Sequence, residues 1–252
     1  MTTTPARPAS VARFVSCHSV LHLDARHPLA RQAVLDPHIM HRTVMSGFHG
    51  WTEPNSSDAR AQMGVLNVWD IDLRADRLVL VVQSRVQPDW SAVPSAALAE
   101  DIVTLPVDLS VRAGDTFTFR TVLNPARDRQ SWQNTPEGPR FVTRRLADTT
   151  PAHARTWFAE RLDPTPGTPT STPRRPTVRR IGAQGDASAM AVRILPKLTF
   201  HNRHRGAKVG RADIRGTLKV TDPTTFVTTL TEGLGRARAY GCGLLLIREA
   251  GA

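Results

Sequence analysis

Long apolar runs and cysteine are scarce in this chain of 252 residues. No uninterrupted apolar stretch approaches the roughly 18 residues of a membrane-spanning helix, so we expect no membrane partner. Residues 1–10 contain no apolar h-region, and we expect no secretory signal. The two cysteines, Cys17 and Cys242, fall in strand-like segments and are expected to be buried thiols of a cytoplasmic protein. P-loop, Gly-x-Ser-x-Gly and Cys-x-x-Cys motifs are absent, so none of these sites is expected.

Acidic residues are scarce in the second part of the chain. Residues 1–150 contain 16 Lys/Arg against 15 Asp/Glu, whereas residues 151–252 contain 17 against 7. Nearly all of the net charge of +11 therefore lies in residues 151–252. A GC-rich coding sequence would explain why arginine outnumbers lysine, but it would not explain the missing acids. Such asymmetry favours a polyanionic partner, because each neutralised phosphate releases counterions.

Two similar successions of strands and helices follow one another along the chain. The first half has predicted strands at 14–23, 65–71, 77–84 and 115–123, and Pro37 starts a helix behind the cap residue Asp36. The second half has predicted helices at 151–162 and 223–232 and predicted strands at 189–200 and 212–220. This order predicts an α+β fold of two tandem ferredoxin-like (RNA-recognition-type) domains. The predicted division is a flexible N-terminus at 1–12, an N-terminal domain at 13–125, a linker at 126–145 and a C-terminal domain at 146–252.

A glycine-rich segment at 233–243 precedes the apolar residues 244–247. Two Gly-x-Gly pairs enclose five residues that include two arginines and the only tyrosine of the chain. Glycine accepts positive φ and permits close approach of another polymer, and successive N–H groups can face a phosphate. Glycine-rich segments are more often simple turns, but this one predicts a phosphate cradle followed by a buried strand. The residues assigned to RNA binding here are Gly233, Gly235, Arg236, Arg238, Gly241 and Gly243.

The symmetric G-h-G-x5-G-h-G form, near the C-terminus, resembles the signature of the CRISPR RNA-processing endoribonucleases. A second match lies at residues 23–43, where Leu-Asp-Ala-Arg-His-Pro leads through Asp36-Pro37 to Met40-His41-Arg42. This segment resembles the N-terminal region of the CasE branch, the type I-E enzymes. Because the two matches occur in the right order at opposite ends, the resemblance covers nearly the whole chain.

His41 is the first candidate for catalysis. Metal-free RNA cleavage needs groups that transfer protons, and histidine is suited to this near neutral pH. His41 matches the histidine that is catalytic in the CasE family, and Met40 and Val44 are expected to point from it toward the core. Many relatives carry a tyrosine three residues earlier, where this chain has His38. His38 is therefore a second acid/base partner, a weaker substitute or incidental, and the sequence leaves these alternatives open.

No metal and no cofactor are expected. His38 and His41 share a helical face, and two ligands of a metal could have this spacing. No nearby Cys, Asp or Glu at ligand spacing completes a set, apart from the capping Asp36.

Basic residues between the predicted strands 189–200 and 212–220 are further candidates for binding RNA. Within nine residues there are four cations and no acid, at the expected tip of a hairpin: Arg203, Arg205, Lys208 and Arg211. In the family that the chain resembles, a basic hairpin grips the stem of the CRISPR repeat. Candidates of lower rank are Arg127, Arg129, Arg174, Arg175, Arg179 and Arg180, with Trp132 and Tyr240 either stacking on a base or packing in the core.

The resemblance implies a metal-independent endoribonuclease that binds the stem-loop of CRISPR repeat RNA. It also implies cleavage at the stem base through the 2′-hydroxyl and retention as a subunit of the Cascade complex. The alternative is a non-catalytic RNA-binding protein with two RNA-recognition-like domains, and a third reading is a basic DNA-binding or scaffold protein. A preference for RNA over DNA of equal length would distinguish the first two interpretations from the third, because only RNA offers the 2′-hydroxyl.

Overall fold

The computed structural model describes residues 10–51, 59–136, 138–146, 149–164, 178–200 and 206–251. Its first unit is a four-stranded antiparallel sheet with helices on one side. The elements are β1 (Val11–Asp24), α1 (Pro28–Leu35), α2 (Pro37–Met45), α3 (Ala59–Gln62), β2 (Leu66–Asp72), β3 (Arg77–Ser84) and β4 (Val103–Arg112). The strand order β2-β3-β1-β4 is that of a ferredoxin-like fold, with two short 3₁₀ turns between β3 and β4.

The second unit repeats this order. Its elements are β5 (Thr116–Leu123), β6 (Arg127–Thr135), β7 (Gly138–Leu146), α4 (Pro151–Ala159), β8 (Ala183–Gln184), β9 (Ala191–Thr199), β10 (Lys208–Val220), α5 (Pro223–Glu232) and β11 (Leu245–Glu249). The sheet runs β11-β5-β10, and both β8 and β9 pair with β10. Strands β6 and β7 form a separate two-stranded ribbon. The predicted fold of two ferredoxin-like domains is confirmed.

Proline and aspartate set the beginnings of the two helices nearest the candidate site. The Asp36 carboxylate accepts a hydrogen bond of 2.8 Å from the His38 N–H, and Pro37 occupies the first turn of α2. Asp222 likewise accepts from the N–H groups of Thr224 and Thr225 at the start of α5. These caps satisfy N–H groups that lack a partner within the helix. The interruption between α1 and α2 therefore follows from Asp36 and Pro37, as predicted.

Several predicted boundaries are wrong. The strand 115–123, assigned to the N-terminal domain, is β5 and pairs with β10 and β11 of the second sheet. The fourth strand of the first sheet is β4, whose alternating Val103 to Val111 pattern was not recognised. The predicted linker at 126–145 coincides with the β6–β7 ribbon. Residues 1–9 of the predicted flexible N-terminus lie outside the described residues, and 11–12 belong to β1.

Three apolar clusters hold the chain together. One lies under each sheet, and the third joins the sheets through Leu66 and Val68 of β2, Val122 of β5, and Cys242 and Leu244. Cys17 is half-buried and Cys242 is fully buried, and both are free thiols. No helix in the described parts of the chain is long and apolar enough to cross a membrane.

Candidate active site

The glycine-rich segment forms a loop that is closed at its base. Gly233 ends α5 with φ +74°, and Gly243 has φ +92°. The Leu234 N–H donates to the Gly243 carbonyl at 2.8 Å, and the Gly243 N–H donates to the Val122 carbonyl of β5 at 2.7 Å. Residues 234–243 therefore form a closed loop that is bonded to β5 of the second sheet through Gly243. We call them the glycine loop.

The glycines allow the loop to pack closely against the protein itself. A Cβ atom at Gly241 would lie 2.9 Å from Trp69 Nε1, and one at Gly235 would lie 2.9 Å from the Trp157 indole. A Cβ at Gly243 would lie 2.5 Å from the Leu234 carbonyl oxygen. Such distances are shorter than van der Waals contact, so glycine is needed at these positions for packing. The prediction that these glycines bring the loop close to RNA stays a prediction.

The loop carries Tyr240 to the helix that holds the two histidines. The Tyr240 ring centroid lies 5.8 Å from that of His38 and 6.2 Å from that of His41, in edge-to-face geometry. The buried Phe200 ring completes the cluster, 4.9 Å from Tyr240 and 5.1 Å from His38. Met40 is buried on the other side of α2, as predicted. The structure therefore brings together side chains from both halves of the chain.

His41 is half-buried, and its surroundings favour the neutral imidazole. Burial lowers the pKa of His41, the positive charge of Arg60 and the neighbouring His38 lower it further, and a hydrogen bond to the main chain of Ala239 opposes the shift. Nδ1 of His41 is buried and has no hydrogen-bond partner among the described residues. The lowered pKa favours the neutral imidazole at pH 7, which is the protonation state that a general base requires.

Tyr240 supplies a hydroxyl that the sequence did not assign to the chemistry. Burial raises the pKa of Tyr240, so the phenol stays protonated at neutral pH. Its hydroxyl is not buried and makes no hydrogen bond with the described residues. The residue was predicted only to stack on a base or to pack in the core, because nothing in the local sequence shows which helix the loop contacts. The structure places a hydrogen-bond donor beside His41.

The family model described as "CRISPR associated protein" matches residues 18–249. The chain therefore belongs to the CRISPR-associated protein family. The predicted resemblance to CasE-type proteins is confirmed.

The chain is similar to proteins of known identity from Thermus thermophilus and Escherichia coli. The chain is 24% identical over 220 residues to the CRISPR-associated endoribonuclease Cse3 of Thermus thermophilus, covering 86% of this chain and 92% of that protein. A solved structure of Thermus thermophilus Cse3 bound to an RNA representing a pre-cleavage complex has a TM-score of 0.64 at 22% identity, covering 93% and 99% of the two chains. Cas6e from Escherichia coli K-12 also has a TM-score of 0.64, at 16% identity, covering 93% and 100%. At these identities the structural matches show the shared fold.

The predicted RNA-binding arginines of the glycine loop differ in their surroundings. Arg236 is exposed. Arg238 is half-buried, and its Nη1 donates to the Glu232 carbonyl at 2.6 Å. The contact of both arginines with RNA stays a prediction.

The predicted basic hairpin is only partly described. Lys208 is exposed at the start of β10, whereas Arg203 and Arg205 lie outside the described residues. Arg211 is not at a tip: it is 4% exposed, donates to the Pro196 carbonyl at 3.2 Å and covers the Trp69 ring at 4.3 Å. The assignment of Arg211 to an exposed RNA-binding tip is wrong. Strand β10 begins at Lys208, so Arg211 lies within the sheet.

The candidates of lower rank are scattered. Arg179 pairs with Glu232 at 2.5 Å, and Arg180 donates to the Leu162 carbonyl. Trp132 is 69% exposed and meets the half-exposed Phe141 across the β6–β7 ribbon. The side chains of Arg127 and Arg129, and the whole of Arg174 and Arg175, lie outside the described residues.

A buried carboxylate of the second sheet binds three arginine side chains. Asp213 is 2% exposed and accepts hydrogen bonds from Arg120 and Arg193, each at 3.2 Å, and from Arg215 at 3.0 Å. Burial raises the pKa of Asp213, but the hydrogen bonds and charges of Arg215 and Arg120 outweigh it and hold the pKa below its ordinary value. Arg120 also reaches Asp70 of the first sheet at 2.7 Å. The cluster therefore links the two sheets.

In the part of the chain that the structure describes, no three His, Cys, Asp or Glu side chains lie together as metal ligands. His38 and His41 are the pair that the sequence weighed as ligands, and no third ligand stands beside them there.

Proposed function

We propose that this chain is a metal-independent endoribonuclease that binds the stem-loop of CRISPR repeat RNA and cuts it at the base of the stem. The observation that carries the proposal is the position of the half-buried His41, whose pKa is lowered by burial, beside the Tyr240 phenol. Membership of the CRISPR-associated family and the names of the relatives support it, because Cse3 is an endoribonuclease and has been seen with RNA.

In the proposed reaction, the ribose 2′-oxygen attacks the adjacent phosphorus. His41 takes the 2′-hydroxyl proton, the bond to the 5′-oxygen breaks, and His38 returns a proton to that leaving oxygen. The products are a 2′,3′-cyclic phosphate, which can open to a 3′-phosphate, and a 5′-hydroxyl. The Tyr240 hydroxyl donates a hydrogen bond to the phosphate, where negative charge increases in the transition state.

Binding of the RNA relies on the positive charge of residues 151–252. Arg236, Arg238 and Lys208 contact the RNA backbone in this proposal, as do Arg203 and Arg205. RNA stems are recognised chiefly through shape and backbone. Through the family resemblance we also propose that the protein acts in the cytoplasm and keeps its product within Cascade.

The test uses end-labelled repeat RNA from the protein's own CRISPR array, incubated with the protein in EDTA and resolved on a denaturing gel. One defined cut at the stem base is expected, and RNA with a 2′-deoxyribose at that position should stay intact. His41→Ala should bind the RNA and cleave it about 10²- to 10⁴-fold more slowly, the usual range for loss of an acid/base group. RNA that is bound but never cut would favour the non-catalytic RNA-binding protein, and cleavage only with added metal would contradict metal independence.

A further inference from the structure

Three arginines line a pocket beside the glycine loop. The pocket has a volume of about 290 Å³, and Arg60, Arg85 and Arg238 contribute its guanidinium groups. Arg60 belongs to α3, Arg85 follows β3, and Arg238 lies in the glycine loop. Segments distant in sequence therefore place three positive charges around one small space.

Main-chain groups fix the direction of these side chains. Arg60 Nη1 donates to the Val65 carbonyl at 2.7 Å, and Arg238 Nη1 donates to the Glu232 carbonyl at 2.6 Å. Gly64, with φ +62°, leaves the room for Arg85, since a Cβ atom there would lie 2.9 Å from Arg85 Cγ. A guanidinium that donates to a carbonyl keeps its positive charge, and the group has five N–H donors in all.

The single acidic side chain of the pocket is already engaged. Glu232 accepts a hydrogen bond of 2.5 Å from Arg179, outside the lining. The pKa of Glu232 is lowered, first by that hydrogen bond and also by the positive charges of Arg179, Arg238 and Arg85. The pocket therefore keeps a surplus of positive charge, which suits an anion with several acceptor oxygens.

The pocket also adjoins the catalytic candidates. Arg60 is close enough to His41 for its charge to lower the pKa of that histidine. Residues 238–240 form one 3₁₀ turn, in which Arg238 faces the pocket, Ala239 accepts a hydrogen bond from His41, and Tyr240 contacts the His41 ring. The turn at 238–240 therefore borders both the arginine pocket and the catalytic candidates.

We propose that Arg60, Arg85 and Arg238 bind a phosphodiester group of the RNA next to the one that is cut. The proposal rests on the proposed function for its ligand, and it adds a site for one backbone phosphate in the strand that passes His41. Binding of this neighbouring phosphate fixes the position of the RNA along the site, so that only one phosphodiester linkage lies next to the His41 imidazole. A free phosphate ion offers the same kind of acceptor oxygens as an RNA phosphodiester, and the experiment distinguishes these two ligands.

The experiment measures binding of uncleavable repeat RNA, with a 2′-deoxyribose at the cut position, by wild type, Arg85→Gln and Arg85→Lys. Arg85 is exposed, so its replacement should not disturb folding, which thermal denaturation checks. Arg74→Gln is the matched control, because Arg74 is an exposed arginine in the turn at the opposite end of β2 from the pocket. A second set of RNAs carries one uncharged methylphosphonate linkage at each position around the cut.

Arg85→Gln should bind about tenfold more weakly than Arg74→Gln, as for a lost hydrogen bond to a charged group. The slope of its log affinity against log salt concentration should be smaller in magnitude by about one, which is the contribution of a single phosphate contact. In wild type, one linkage beside the cut should be sensitive to methylphosphonate, and this sensitivity should vanish in Arg85→Gln and persist in Arg85→Lys. Equal affinities of Arg85→Gln and Arg74→Gln, or equal sensitivity of every linkage, would overturn the site.

The other outcomes are also decisive. If inorganic phosphate protects wild type but not Arg85→Gln against heat, with no linkage effect on RNA, the pocket takes a free anion and the RNA assignment is wrong. Because binding is measured with RNA that cannot be cut, a protein that fails to cleave but shows the linkage effect refutes the proposed nuclease and retains the pocket. Wild type that binds no RNA refutes both.

Discussion

Replacing Tyr240 by phenylalanine removes one hydroxyl from the site and leaves the ring in place. The ring contacts with Phe200, His38 and His41 do not involve the hydroxyl, and this oxygen is not buried. The free energy of unfolding should therefore change by less than about 0.5 kcal/mol. If the hydroxyl donates to the phosphate in the transition state, its loss removes a charged hydrogen bond of about 1.5–3 kcal/mol. This corresponds to a cleavage rate roughly 10- to 150-fold lower.

The assay is single-turnover cleavage of repeat RNA with protein in excess, so that product release does not limit the rate. Tyr240→Ala is the contrasting variant: it removes the ring as well and should cost about 2 kcal/mol of stability, less than a fully buried aromatic because Tyr240 is half-exposed. Tyr240→Phe should bind RNA as wild type does, since its effect arises in the transition state. A folded Tyr240→Phe that cleaves within twofold of the wild-type rate would refute the role of the hydroxyl.

Three other perturbations test the site and its support. The pKa of His41 is lowered by burial and by Arg60, so the acid limb of the rate–pH profile, where His41 becomes protonated, should lie below about pH 6.5, the ordinary histidine value. An acid limb above that value would argue against His41 as the base. Gly243→Ala should lower the free energy of unfolding, measured by urea denaturation, by at least about 2 kcal/mol more than Gly114→Ala does. Both positions have positive φ, but only a Cβ atom at 243 would meet another atom, at 2.5 Å. Equal losses of stability would show that the structure relaxes to relieve this contact. Asp213→Asn should cost about 3 kcal/mol at pH 7 by leaving arginines without their buried carboxylate. Because the pKa of Asp213 is depressed in the folded state, this stability is present above the unfolded pKa and lost as the pH falls through the folded one, so variant and wild type should converge in acid; a constant difference would refute the linkage.

Local signals in the sequence were enough for most elements. Asp36 with Pro37, and Asp222 with Pro223, set the beginnings of α2 and α5 because capping depends on neighbouring residues alone. The apolar run at 77–84 gave β3 with its correct bounds. Strand partners are not local, however, and the strand at 116–123 lies close in sequence to the first unit while pairing with the second. The assignment of β5 failed for that reason.

The candidate site was predictable where one residue type suffices for the chemistry. His41 is predicted because imidazole transfers protons at neutral pH and because the surrounding motif resembles a known family. Arg211 was misplaced because charge alone does not distinguish an exposed arginine from one stacked on Trp69. The roles of Tyr240 and Arg85 were not predicted, because Tyr240 lies beside His41, and Arg85 lines the same pocket as Arg238, although the residues of each pair are more than 100 positions apart in sequence. Contacts of this kind depend on tertiary structure, which propensity and spacing do not encode.

The position of Tyr240 depends on how the glycine loop is held between the two sheets. Gly233 stands against Leu66 and Gly241 against Trp69, both on β2, while the Gly243 N–H binds Val122 on β5. Because β2 belongs to the first sheet and β5 to the second, the loop is packed on both units at once. A side chain added at any of these glycines would push the loop away from β2 or open its base, and Tyr240 would move relative to His41. The packing of these glycines therefore sets the distance between the Tyr240 phenol and the His41 imidazole.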